Sequence, residues 1–84
     1  MKRLRKQINR IDDDLLRLIA SRLRVAKKIG IYKKKHNLPV RDVKREREII
    51  NERTKALAKL GFNDSLFVKH LFNLLFAKSR SVQK

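Results

Sequence analysis

The chain has 84 residues, no cysteine, and 24 Lys and Arg against 8 Asp and Glu, a formal charge of +16. That length makes one domain with a small interior, and the missing cysteines exclude a disulfide framework and any thiolate metal site, in keeping with a reducing compartment. No apolar run reaches membrane length and charges begin directly after Met1, so a cytoplasmic protein without a membrane span is expected, one whose field attracts anions of every kind.

The first predicted element is one long helix over about residues 4–35. Leu4, Ile8, Ile11, Leu15, Leu18, Val25, Ile29 and Tyr32 recur alternately four and three apart, the a/d pattern of a packed helix. Arg22 fills the slot between Leu18 and Val25. A guanidinium keeps its proton and is costly to bury unpaired, so a chain that places one in an apolar seam supplies a carboxylate or takes an anionic ligand. A second row, Arg22, Ala26, Ile29 and Lys33, is spaced i, i+4, i+7, i+11 and shares one face. It sets Arg22 and Lys33 roughly 16 Å apart along the axis, with both side chains able to lean over Ala26 and Ile29 toward one small anion. An interior ion pair at Arg22 beside solvated lysines is the plain alternative.

Arg5 stands in a basic arm with Lys2, Arg3 and Lys6, seventeen residues before Arg22. Those residues span roughly 25 Å of straight helix, so the two arginines meet on one small molecule only if two chains pack antiparallel. Otherwise Arg5 is a solvated first-turn residue. Gly30 costs about 1 kcal/mol relative to alanine in a helix, which either close helix packing or a ligand near the backbone would explain. Lys33, Lys34 and Lys35 suit the negative end of the macrodipole, and the segment His36 to Val40, with the chain's single proline at Pro39, forms a linker.

A second helix is predicted over about residues 42–60, capped by Asp42 and closed before Gly61. Asp42, Glu46, Ile49, Arg53, Leu57 and Leu60 fall on one side of it, and Arg45 and Arg47 flank Glu46. Intrahelical ion pairs are the ordinary meaning of such a stretch. A third helix over about residues 64–83 takes Asn63 as N-cap, with Phe62 and Phe67 as a hydrophobic staple. Its row Val68, Phe72 and Phe76 turns polar at Ser79 and Gln83, which are either donors to a bound group or the frayed end of the helix. His36 and His70 each stand alone without metal-ligand spacing, so no metal site is expected.

The fold class is therefore all-α, three helices of unequal length. A first helix about 50 Å long cannot be enclosed by two shorter ones in a compact bundle. The expected remedy is an intertwined, twofold-symmetric homodimer in which the long helices pack together, bringing Arg5 of one chain toward Arg22 of the other.

Leu4-Arg5, Ile8, Ile11-Asp12, Leu15-Leu16, Arg22, Lys33, Pro39-Val40-Arg41-Asp42, Arg45-Glu46-Arg47, Leu71-Phe72, Ser79 and Gln83, in that order and at those separations, resemble the small all-helical chorismate mutases. These are intertwined three-helix dimers that convert chorismate to prephenate in aromatic amino-acid biosynthesis. The resemblance implies an isomerase needing neither cofactor nor metal, which selects the diaxial conformer of chorismate and stabilises charge on the ether oxygen. Arg22 and the partner's Arg5 would bind the substrate carboxylates, with Ser79 near the ring carboxylate. Lys33 and Gln83 would donate to the ether oxygen, while Glu46 and the Asp42 backbone hold the ring hydroxyl. Arg45 would belong to the same wall, and Ala26, Ile29, Ile49 and Phe76 would line it. Arg80 beside Ser79 and the strongly basic surface depart from the pattern.

Two other functions compete. Isochorismate pyruvate-lyase shares this fold and a similar cationic pocket, although Glu46 with both ether donors favours the mutase. A non-enzymatic basic module binding nucleic acid would explain the charge but not Arg22. Tyr32, Phe62, Phe67, Phe72 and Phe76 mostly continue apolar helical stripes and do not interleave with basic residues, so only weak, nonspecific nucleic-acid binding is expected.

Overall fold

A computed structural model describes every residue, Met1–Lys84. The chain forms three α-helices and no strand: α1 (Lys2–Lys35), α2 (Val43–Lys59) and α3 (Ser65–Gln83). Helix α1 starts two residues ahead of its first seam residue, with Met1 as an N-cap that makes no side-chain bond.

The helix ends follow local chemistry. At the end of α1, Asn37 takes a left-handed φ of 54°, and the amides of Asn37 and Leu38 donate back to the carbonyls of Lys34 and Lys33. Helix α2 stops the same way: Gly61 has φ 102°, and the amides of Gly61 and Phe62 donate to Ala58 and Leu57. Both are Schellman closures, in which a residue that tolerates the left-handed region lets two orphan carbonyls find donors. Asp42 caps α2, its carboxylate accepting from the Arg45 amide at 3.0 Å.

The start of α3 differs from the sequence expectation. Asp64, not Asn63, is the N-cap and accepts from the Phe67 amide at 3.0 Å. Asn and Asp cap about equally well, but an ionised carboxylate also meets the positive end of the helix dipole. The shift makes Phe67 the third helical residue, out of register for a staple with Phe62, and both rings stay exposed.

Helix α3 packs on α1 and on α2, whereas α1 and α2 do not pack on each other. A cleft is thus left between α1 and α2, with α3 as its floor. The chain is long and thin, 52 × 24 × 16 Å, with a radius of gyration of 15.4 Å against about 12 Å for a compact domain of this size. Only Ala26, Gly30, Val68, Phe76, Ser79 and Gln83 are buried, too few to hold a domain together. The accessible surface is 7410 Å², where a compact protein of this mass exposes about 5,200 Å².

Much of the exposed apolar surface lies along α1. Leu4, Ile8, Ile11, Leu15 and Leu18 are all more than half exposed, because α3 covers the neighbouring face, the one that carries Ala26 and Gly30. The a/d seam is therefore not the face that the chain buries against itself. No helix is long and apolar enough to cross a membrane.

Candidate functional site

The cleft holds a cavity of about 320 Å³ lined by residues of all three helices and the linker. Helix α1 contributes Arg22, Ala26, Ile29 and Lys33, so the second row of the sequence reading forms one wall. Asp42, Arg45, Glu46 and Ile49 come from the start of α2, and Phe76, Ser79 and Gln83 from the last two turns of α3. The structure thus brings every candidate residue to one cavity except Arg5. That residue lies near the far end of α1, beside Met1, Leu4, Ile8 and Asn9.

Arg22 donates to Ser79 Oγ at 2.6 Å, and its guanidinium carbon sits 5.7 Å from the centre of the Phe76 ring. No carboxylate lies within ion-pair distance of it. Burial pushes the Arg22 pKa below its ordinary value, and the positive charge of Arg53 adds to the effect. The group is held charged where charge is disfavoured, with a hydroxyl and a ring face as partners. A guanidinium so placed is suited to take an anionic ligand.

Lys33 Nζ donates to the Val40 carbonyl at 2.7 Å and to Gln83 Oε1 at 3.2 Å. An ammonium has three donors and no acceptor, so one N–H remains for a ligand. The same rule orients Gln83: its oxygen must face Lys33, which leaves the amide N–H₂ as the side that can donate into the cavity. The Schellman turn bonds the Leu38 amide to the Lys33 carbonyl at 2.8 Å, so the linker that supplies Val40 is tied to the residue it positions.

Gly30 is explained by packing. A Cβ there would lie 2.7 Å from both the Cα and the carbonyl oxygen of Gln83, so the missing side chain lets the end of α3 lie directly on α1. Ser79 and Gln83, which the sequence left open as a frayed end, are buried as a result.

On the α2 wall the intrahelical ion pairs expected of this stretch form at Arg45 but not at Glu46. Arg45 turns along its own helix toward Glu48 and Glu52, at 3.4 and 3.6 Å. Glu46 is held instead by Arg80 across the cavity, at 2.6 Å, and more loosely by Arg41 at 3.5 Å. Sequence reasoning did not place Val25, Val40 and Arg80 among the lining residues. Arg80 was within reach of the pattern, since Phe76, Ser79, Arg80 and Gln83 are spaced i, i+3, i+4, i+7.

Two donors on α1, an amide and a hydroxyl on α3, and a carboxylate on α2 converge on one cavity whose apolar lining includes Ala26, Ile29, Ile49 and Phe76. Neither histidine lines the cavity, and the one hydroxyl there already accepts from Arg22. No three His, Cys, Asp or Glu side chains gather as metal ligands. The arrangement can bind and polarise an anion; it has no nucleophile with a base beside it.

Fold and cleft together define a small all-helical domain with a cationic ligand site. The sequence profile described as chorismate mutase type II matches residues 4–84, and the chain belongs to that family. It is 30% identical over 81 residues to a chorismate mutase of Methanocaldococcus jannaschii, covering 96% of this chain and 81% of that one. It is 36% identical over 81 residues to a bifunctional chorismate mutase/prephenate dehydratase of Escherichia coli. A protein of the same description from Aquifex aeolicus is 50% identical over 52 residues, or 62% of this chain. The matched stretches make up only 21% and 14% of those two bifunctional proteins. Among solved structures, a conserved hypothetical protein from Pyrococcus furiosus superposes with a TM-score of 0.80 at 32% identity, over 99% of this chain and 93% of its own.

Proposed function

We propose that this chain is a cytoplasmic chorismate mutase that works as a homodimer and rearranges chorismate to prephenate. The observation that carries this is Arg22, a half-buried guanidinium with no carboxylate partner, lining one cavity together with Lys33 and Gln83.

The reaction is an intramolecular Claisen rearrangement: the ether C–O bond breaks as a new C–C bond forms between the enolpyruvyl side chain and the ring. Nothing enters or leaves, so the protein needs to fold the substrate and favour its polar transition state. Arg22 binds one carboxylate, its fork matching the two oxygens. Ser79 adds a contact near the ring carboxylate. Lys33 and the amide of Gln83 donate to the ether oxygen as negative charge builds there, a preorganised pair that requires no reorganisation at the moment of reaction. Glu46 accepts from the ring hydroxyl; the Asp42 carboxylate is used on the helix cap and its carbonyl accepts from the Glu46 amide, so the Asp42 backbone N–H helps by donating to the hydroxyl oxygen. Arg45, turned toward Glu48 and Glu52, completes the wall through water.

The second carboxylate calls for another cation, and Arg5 of the same chain is too far along α1 to supply it. A second copy supplies it. The bare stripe Leu4, Ile8, Ile11, Leu15 and Leu18 is self-complementary when two α1 helices lie antiparallel, and the roughly 2,000 Å² of excess surface is what an obligate dimer half exposes alone. That packing carries the partner's Arg5 toward Arg22.

The test is a continuous assay of chorismate disappearance with the purified protein. Turnover to prephenate that is lost in Arg22→Ala supports the proposal. Chorismate left untouched, or isochorismate cleaved to salicylate in preference, contradicts it.

A further inference from the structure

Glu46 poses a problem for a pocket that takes a dianion. It is the one acid at the cavity whose carboxylate is not used on a helix cap, and its side chain is only 16% exposed. A carboxylate facing two substrate carboxylates repels them, most strongly where water is scarce.

Arg80 answers that problem from the opposite helix. Its Nη1 donates to Glu46 Oε2 at 2.6 Å across 34 positions of sequence, and the Arg80 side chain is itself 26% exposed. Arg41 approaches the other oxygen at 3.5 Å, but is 60% exposed and is held less closely. The short, shielded contact is the one with Arg80, and it is charge-assisted.

Resting on the proposed function, we infer that Arg80 is a positioning residue that neutralises Glu46 and fixes its carboxylate, so that Glu46 accepts the substrate hydroxyl without repelling the substrate's carboxylates. Arg80 acts through Glu46. Each carboxylate oxygen has more than one lone pair, so Oε2 can accept from Arg80 while Glu46 still accepts the ring hydroxyl. Neutralisation of Glu46 by Arg80 thus sets how tightly a dianion binds.

The experiment measures kcat and KM for chorismate on Arg80→Met, Arg80→Gln and Arg80→Lys, each alone and combined with Glu46→Gln, with melting curves to confirm that each protein is folded. Glu46→Gln keeps an oxygen for the hydroxyl but removes the charge. With Glu46 present, loss of the cation should raise KM roughly tenfold, with a smaller change in kcat, and Arg80→Lys should recover most of it. Combined with Glu46→Gln, the same loss should change KM by less than about twofold, a non-additivity that a purely structural role would not give. Arg80→Gln, which keeps a hydrogen bond to Glu46, separates charge from packing if Arg80→Met does not fold. An equal rise in KM in both backgrounds, or no rise in either, overturns the inference. Failure of the unaltered protein to turn over chorismate overturns the proposed function itself, and this inference with it.

Discussion

Gln83 lies where a side chain at Gly30 would be: the Cα and carbonyl oxygen of Gln83 are each 2.7 Å from the position of a Cβ at Gly30. The last turn of α3 is thereby seated on α1, with Gln83 Oε1 accepting from Lys33. Gly30→Ala should therefore cost both stability and function. Alanine returns about 1 kcal/mol of helix propensity, but its Cβ meets the Gln83 backbone, so the last turn of α3 must lift and Gln83 lose its burial. Lifting it moves the Gln83 amide, and a displacement near 1 Å can reduce turnover by roughly a hundredfold. A lower melting temperature, with kcat down at least about tenfold on the protein that remains folded, is expected; unchanged kcat would contradict the role given to this contact.

Lys33 should give the largest single effect on the chemical step. Lys33→Ala removes one of the two donors proposed for the ether oxygen and leaves the Val40 carbonyl and Gln83 Oε1 without their donor. By comparison with other single oxyanion donors, kcat should fall by roughly a hundredfold or more, about 3 kcal/mol. Steady-state rates on folded protein check this.

Turnover should be broad in pH. Gln83 donates through an amide that has no proton to lose near neutrality, so kcat should hold between about pH 6 and pH 8. Gln83→Glu should convert that plateau into a steep fall as pH rises, because only the protonated acid donates. A steep loss in the unaltered protein over that range, with its fold intact, would refute the role of Gln83.

Anions should stabilise the protein through Arg22. Burial and Arg53 lower its pKa, so the folded chain holds that proton less tightly than the unfolded chain. Arg22 is charged in both states at neutral pH, so the depressed folded-state pKa gives no pH dependence there and leaves the cost of burying the charge in place, a cost relieved only as pH rises past the folded value. A bound carboxylate reverses the imbalance, and a ligand that binds only the folded state raises its melting temperature. A small dicarboxylate should therefore raise the melting temperature of the parent and fail to do so in Arg22→Ala. Nonspecific polyanion binding, set by total charge and salt, should be nearly the same in both proteins.

Much of this site was legible in the sequence. The row Arg22, Ala26, Ile29 and Lys33 needs only helical periodicity, and α1 supplies that over its whole length. The linker, the Asp42 cap and the Gly61 stop follow from residue chemistry within a few positions. Relations between distant segments were harder. Asn63 and Asp64 are both good caps, and only the fold decides between them. The Arg45 pairs with Glu48 and Glu52 are of the intrahelical kind expected, but nothing local reveals that Glu46 pairs with Arg80 on another helix, nor which of two causes explains Gly30. The seam itself was read, but periodicity alone does not say whether a stripe meets its own chain or another.

The composite site is tested most directly by mixing two inactive variants. Arg5→Ala and Arg22→Ala should each be nearly inactive alone. Co-refolded as a mixture, half of the dimers pair one of each, and every such dimer has one site with both arginines intact and one with neither. About a quarter of the parent chorismate mutase activity should return. If the mixture shows no more than the sum of its parts, Arg5 and Arg22 do not meet across two chains, and the account of this site is wrong.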